Sequence, residues 1–161
     1  MSRLELIPVT RHHAESMFRI LADPTLYKYT GGQPHGSKES LQQWFSALET
    51  RLSPDGKEQW LTWIVVQKER NTPIGYVQAT IKGMQADVSW LIATSWQGKG
   101  YAKEAAAMLK SLLEACKIES LSASIHPHHE ASQKVASSLG LRRTGASHEG
   151  EEIWAASLIP C

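Results

Sequence analysis

A chain of 161 residues, 42% hydrophobic and 20% charged, has the composition of one folded domain with a substantial core, and residues 1–161 are read as that single domain. Its formal net charge of +1 argues against a general nucleic-acid binder, which needs a basic face. No apolar run is long enough to span a membrane, and Met1 to Glu5 has no apolar core like that of a signal peptide, so the expected location is the cytoplasm.

The first predicted element is a strand over residues 3–9, where Leu4, Leu6 and Pro8 alternate with Arg3, Glu5 and Ile7. Thr10 is placed to cap a helix whose face carries Ala14, Met17, Phe18 and Leu21, and Asp23-Pro24 ends it. A short helical piece is expected over Leu26 to Tyr29. Gly31-Gly32-Gln33-Pro34-His35-Gly36 is a loop of strong breakers. Ser37 can cap a second helix with Leu41, Trp44, Phe45 and Leu48 on its apolar face, and Ser53-Pro54-Asp55-Gly56 is a turn.

Three strands with short joints follow, over 60–67, 74–81 and 86–93, an antiparallel meander. A helix begins near Ala102; Ala105, Ala106, Leu109, Leu112, Leu113 and Cys116 share its face. It crosses over to a parallel fifth strand at 121–125. His126-Pro127-His128-His129 is a loop, Ala131 to Leu139 a helix stopped by Gly140, and 141–146 with 151–158 a closing hairpin. Of the two cysteines, Cys116 is expected to be a small buried hydrophobe and Cys161 is the last residue, with no disulfide expected.

The stretch from Ser89 to Ala102 runs from strand through a glycine loop into a helix start. Unpaired N–H groups and the positive helix end there can hold an anion, and glycines let a phosphate approach the backbone. A nucleoside-triphosphate loop fails, because Ala93 and Gly100 stand where Gly and Ser or Thr are needed. A dinucleotide fingerprint fails at Lys103. What remains is Gln-x-x-Gly-x-Ala, carried by Gln97, Gly100 and Ala102. This resembles the acyl-coenzyme A pyrophosphate loop of the GNAT superfamily of N-acetyltransferases. The opening Arg3-Leu4-Glu5-Leu6-Ile7-Pro8-Val9 and the Pro73-Ile74-Gly75-Tyr76-Val77-Gln78-Ala79 strand are similar to the branch that includes acetyltransferases of ribosomal-protein N-termini.

The resemblance implies an α+β GNAT fold: a mixed, mostly antiparallel seven-stranded sheet flanked by about four helices, with strands four and five splayed. It implies acetyl-coenzyme A as cosubstrate, with coenzyme A as product. The backbone at Leu91, Ile92 and Ala93 would pair with pantetheine like an added strand. Gln97, Gly98, Lys99, Gly100, Tyr101 and Ala102 would wrap the pyrophosphate. A second family motif, Asn-x-x-Ser, is occupied by His129-Glu130-Ala131-Ser132. Ser132 matches; His129 replaces the asparagine and, able to donate and to accept, is the expected cofactor contact in its place. The helix lacks the tyrosine that often protonates the leaving thiolate, which leaves Ser132 as the candidate donor.

Asp87 is the candidate base, against the competing reading of a strand-end carboxylate. An α-amine, with a pKa near about 8, needs less help than a lysine near about 10.4, and a water chain can suffice. A backbone N–H near Ile92 would stabilise the oxyanion. Glu149, Glu151 and Glu152 are alternative bases that could reach the acceptor cleft from the closing hairpin, against the stronger reading of a charged turn. His126, His128 and His129, with His12 and His13, invite a metal reading, but no carboxylate or cysteine completes a ligand spacing, so no metal is expected. The acceptor, a protein N-terminus or a small amine, would enter over the first two helices and the hairpin, past Tyr27, Tyr29, Trp44 and Trp63. Two rivals belong to other classes: an acyl-coenzyme A-binding sensor without catalysis, and a dimerisation module that binds no cofactor. The sequence leaves the oligomeric state open, a homodimer included.

Overall fold

The computed structural model describes residues 2–28 and 34–158. Tyr29, Gly31-Gly32-Gln33 and Cys161 therefore lie outside the described residues. Seven strands among these form one sheet: β1 Leu4–Pro8, β2 Gln59–Gln67, β3 Thr72–Lys82, β4 Gln85–Ile92, β5 Ser120–Ile125, β6 Arg142–His148 and β7 Glu151–Ser157. Their order across the sheet is β1-β2-β3-β4-β5-β7-β6. The helices are α1 Ala14–Leu21, α2 Lys38–Leu48, α3 Tyr101–Ala115 and α4 Glu130–Ser138.

The sheet is covered on both faces because its central strands are apolar on both. In β2, Leu61, Trp63 and Val65 pack with Ala105, Ala106 and Leu109 of α3 and with Val135 and Ala136 of α4. The alternate residues Ile64 and Val66 pack with Met17 and Leu21 of α1 and Leu41, Phe45 and Leu48 of α2. Period-two strands between period-3.6 helices give this layering directly.

All neighbouring pairs are antiparallel except β4 with β5. That parallel pairing lasts for Gln85↔Ser120, Ala86↔Leu121 and Asp87↔Ser122 and then stops. Beyond it β4 stays with β3 as far as Gly75↔Ile92, while β5 follows β7 to Ile125↔Glu152. The two strands part, and the expected splay is present. Gly75 holds β4 on its own side: a Cβ there would strike the Leu91 carbonyl oxygen and stand 3.0 Å from Ile92 Cα.

Three local expectations change. The short helical piece is a 3-10 turn over Pro24–Tyr27, started by the preset φ of Pro24 and capped by Asp23, which accepts from the Thr25 N–H. Cys116 is exposed, because α3 ends at Ala115 and Cys116 already leaves helical geometry at φ −85°, ψ 8°, so the apolar stripe does not extend to it. Leu112, at the margin of that stripe, is 40% exposed. Trp63 packs under α3, on the face opposite α1 and α2, and so lies away from the expected acceptor entrance. A strand apolar on both faces gives no sign in its sequence of which face is which.

Candidate active site

The parting of β4 and β5 opens a cleft of about 450 Å³. One wall is the end of β4 and its joint to α3: Trp90, Leu91, Ile92, Trp96, Gln97, Gly98, Gly100, Tyr101 and Ala102. The other is the start of α4: His129, Ala131, Ser132 and Val135. Thr25 and Leu26 close the mouth. Their segment is tied to the β4–α3 joint, where the Thr94 hydroxyl donates to Asp23 Oδ2 at 2.7 Å and lies 3.1 Å from that of Thr25. The Thr94 bond first, and then the N–H and hydroxyl of Thr25 that donate to the other carboxylate oxygen, hold Asp23 below its ordinary pKa.

Backbone direction decides what β4 offers. The Ala93 N–H donates to the Ile74 carbonyl at 2.7 Å, so Ala93 faces β3. The alternation of an antiparallel ladder then turns the N–H and C=O of Ile92 and Trp90 toward the cleft. The Ile92 carbonyl accepts from the Gln97 side chain at 2.9 Å. Gln97 thus bridges strand and loop.

The loop presents backbone rather than side chains. Gly98 and Gly100 hold φ of 79° and 82°, in the left-handed region that glycine adopts without a steric penalty. A Cβ on Gly98 would meet nothing within 4 Å, so the space over the loop is open. The positive end of the 15-residue α3 points there. Lys99 turns back instead: its Nζ donates to the Ser95 carbonyl at 3.4 Å. The lysines that do line the cleft are Lys103, in the first turn of α3, and Lys134, in the second turn of α4; sequence reasoning weighed neither as a phosphate partner, and their places near helix starts were the available signal. Open glycine backbone, a helix N-terminus, two lysines and apolar walls of Trp90, Leu26 and Val135 suit an extended chain that ends in phosphates. Coenzyme A has that chemistry, and the residues present fit it.

On the facing wall, Ser132 Oγ lies 3.3 Å from His129 Nε2. Burial and then the neighbouring His126 lower the His129 pKa, which keeps its ring neutral at neutral pH. One turn of helix separates the two positions, so the pair is a consequence of i, i+3 spacing at the start of α4.

Asp87 does not line this cleft. It stands at its closed end, in the last β4–β5 pair, where the Ser122 hydroxyl donates to its Oδ1 at 3.0 Å. The side chain keeps solvent access, yet the protein around it removes much of the bulk water. That desolvation raises its pKa, against the lowering effect of Ser122. Glu151 is also raised, by desolvation first and in part by the charge of Asp87, while His126 opposes the shift. Beside Asp87 runs a polar row that the sequence did not announce. Gln78 donates to Thr62 at 3.2 Å, and Ser89 to Gln78 at 3.4 Å. These three come together only through the register Thr62↔Gln78↔Ser89. Of the expected acceptor-side aromatics, Tyr27 donates to the Leu21 carbonyl at 2.7 Å, and Trp44 stacks on His35 at 5.2 Å. Among the described residues no group of three His, Cys, Asp or Glu is placed to hold a metal. No helix of the described residues is long and apolar enough to cross a membrane.

A strand–glycine loop–helix joint beside a parted parallel strand pair defines an acyl-coenzyme A-binding acetyltransferase domain. Residues 3–142 match the acetyltransferase (GNAT) domain family, and the chain belongs to that family. No curated protein matches the sequence. Solved structures share the fold. RimJ of Mycobacterium smegmatis, in complex with CoA-disulfide, is 20% identical with a TM-score of 0.81, over 96% of this chain and 82% of that one. The ribosomal-protein-S5-alanine acetyltransferase of Vibrio fischeri is 16% identical with a TM-score of 0.77, over 98% and 94%. AAC(6')-Ib in complex with ribostamycin and coenzyme A is 16% identical with a TM-score of 0.79, over 98% and 94%. Acetyl-coenzyme A is the cosubstrate of this fold.

Proposed function

We propose that this protein is an N-acetyltransferase that moves an acetyl group to a primary amine by direct attack in a ternary complex. The observation that carries this reading is the split after Asp87↔Ser122, which leaves a glycine-lined cleft on one side and a polar strip with a carboxylate on the other. Bound acetyl-coenzyme A supplies an activated acetyl thioester. The chain's own residues do the rest. Gln97 to Ala102 hold the pyrophosphate, and the cleft-facing backbone of β4 aligns the pantetheine arm. The Ile92 N–H, on the cleft side, is the donor for developing oxyanion charge. Asp87 takes the proton that the amine loses, directly or through a water; its raised pKa makes it a better base than an ordinary carboxylate. Ser132 Oγ donates a hydrogen bond to the departing sulfur.

The acceptor is polar and cationic on this reading. Asp87, Glu151, Ser89, Gln78 and Ser122 offer acceptors and negative charge rather than an apolar slot. A small amine and a protein N-terminus both carry the required ammonium; RimJ and AAC(6')-Ib show that one fold accommodates proteins of both names. The test is release of free thiol from acetyl-coenzyme A across a panel of amines, amino sugars and N-terminal peptides. Turnover with at least one amine is expected. Coenzyme A binding with no thiol release across the panel would establish the sensor instead.

A further inference from the structure

We propose that Arg3, far from the loop in sequence, is a positioning residue that sets the shape of the pyrophosphate loop. This rests on the reading of residues 97–102 as that loop. Four contacts converge on Arg3. Its Nε donates to Glu104 Oε1 at 2.9 Å, and its backbone N–H to Glu104 Oε2 at 2.8 Å. A second guanidinium nitrogen, Nη2, donates to the Lys99 carbonyl at 3.2 Å. The guanidinium lies over the Tyr101 ring, 4.2 Å from its centroid. One side chain at the start of β1 therefore grips the loop before its last glycine, the first residue of α3 and the first turn of that helix.

The Lys99 contact carries the consequence. In a planar trans peptide the C=O and the following N–H point in opposite directions. Arg3 takes the Lys99 carbonyl from behind the loop; the Gly100 N–H is thereby turned the other way. Gly100 lines the cleft, and Nη2 of Arg3 would be 3.6 Å from a Cβ built on Gly100, on the loop's far side. The loop needs such a hold. Two left-handed glycines within three residues are costly to order, because glycine has the most backbone freedom to lose. Fixing them before the anion arrives removes that cost from binding. The Arg3 charge is matched by Glu104, so its contribution is geometric. Partial burial raises the Glu104 pKa, but the hydrogen bonds from Arg3 and Ser2 outweigh it and keep the carboxylate ionised. Arginine suits the task, since its planar fork fixes the donors to the carboxylate and to the carbonyl in one rigid geometry, which a flexible lysine ammonium does not.

The test titrates coenzyme A and pantetheine into the wild type, Arg3→Met and Arg3→Lys, with melting temperatures measured beside them. Arg3→Met should weaken coenzyme A about tenfold, the scale of one lost hydrogen bond to a charged group, and leave pantetheine unchanged. Arg3→Lys can keep an ion pair with Glu104 but not the fork. It should melt close to the wild type and still lose most of the coenzyme A affinity. Wild-type affinity in Arg3→Lys or Arg3→Met, or equal losses for coenzyme A and pantetheine, would overturn the positioning role alone. A wild type that binds coenzyme A no better than pantetheine would overturn the loop reading, and the role with it.

Discussion

The two joints that flank the cleft have the same order of elements and opposite chemistry. β4 runs through a loop into α3, and β5 through a loop into α4. The first joint has Gly98 and Gly100 in the left-handed region, while its lysine side chain folds back on Ser95. The second has no glycine between Ile125 and Ser138, and it carries His129 and Ser132 into the cleft. α3 is long and deeply seated, with Tyr101, Ala105, Ala106, Leu109 and Leu113 buried; α4 is short and buries Val135 and Ala136. The lesson is a division of labour. An anion is held best by fixed backbone N–H groups, which demand that side chains be absent. On the proposed mechanism the donor to the departing sulfur is a side chain, which demands that one be present.

The largest effect should come from putting a side chain where the first joint excludes one. Gly100→Glu starts a side chain toward Arg3, where its carboxylate would draw the guanidinium off the Lys99 carbonyl, and adds a negative charge at the anion loop; coenzyme A affinity should fall at least about a hundredfold, beyond the roughly 1 kcal/mol of strain from a non-glycine residue at positive φ. Gly100→Ala carries the strain without the charge and should lose far less. Calorimetric titration of folded protein reads both; normal binding by Gly100→Glu would mean that the first joint holds no phosphate.

Removing a side chain from the second joint should act on rate. Ser132→Ala should lower kcat by about ten- to a thousandfold, the range of one lost transition-state donor, with the KM for acetyl-coenzyme A nearly unchanged. Equal losses of rate and cofactor affinity would make Ser132 a binding residue, and the two joints would then differ less than proposed.

The smallest of the three effects is expected at the closed end, where the joints' strands still pair. A base works as the carboxylate, which is present above its own pKa, and that pKa lies above the ordinary 3.8. Wild-type turnover should therefore fall as pH drops through the raised Asp87 value. Asp87→Asn should lose about tenfold or more, most strongly where the amine arrives protonated, and should lose this carboxylate limb of the pH profile. Coenzyme A affinity should not change. A mutant pH–rate curve that superimposes on the wild type would leave Asp87 as the carboxylate that fastens β4 to Ser122.

Much of this was legible in the chain. Alternation marked the strands, because a strand's side chains change face at every residue. The Gln97, Gly100 and Ala102 spacing marked the loop, because a turn that needs positive φ advertises itself in glycine. Ser132 was singled out by its match to a family motif, and its contact with His129 is local too, since the two meet across one helical turn. All of these are short-range relations, fixed by backbone geometry within a few residues.

What the tertiary structure alone decided depends on register between distant segments. Thr62, Gln78 and Ser89 are unremarkable strand residues until pairing sets them in one row. Arg3 reads as a polar residue at a strand start until β1 brings it against Lys99 and Glu104. Trp63 and Cys116 had the right hydrophobicity for burial or a binding face, but which side of a two-faced strand meets α3, and where α3 stops, are settled by packing. The split itself has no local signature either. The end of β4 lies against β3, where Gly75 leaves room for its backbone, while β5 goes with β7, and no one strand contains that parting.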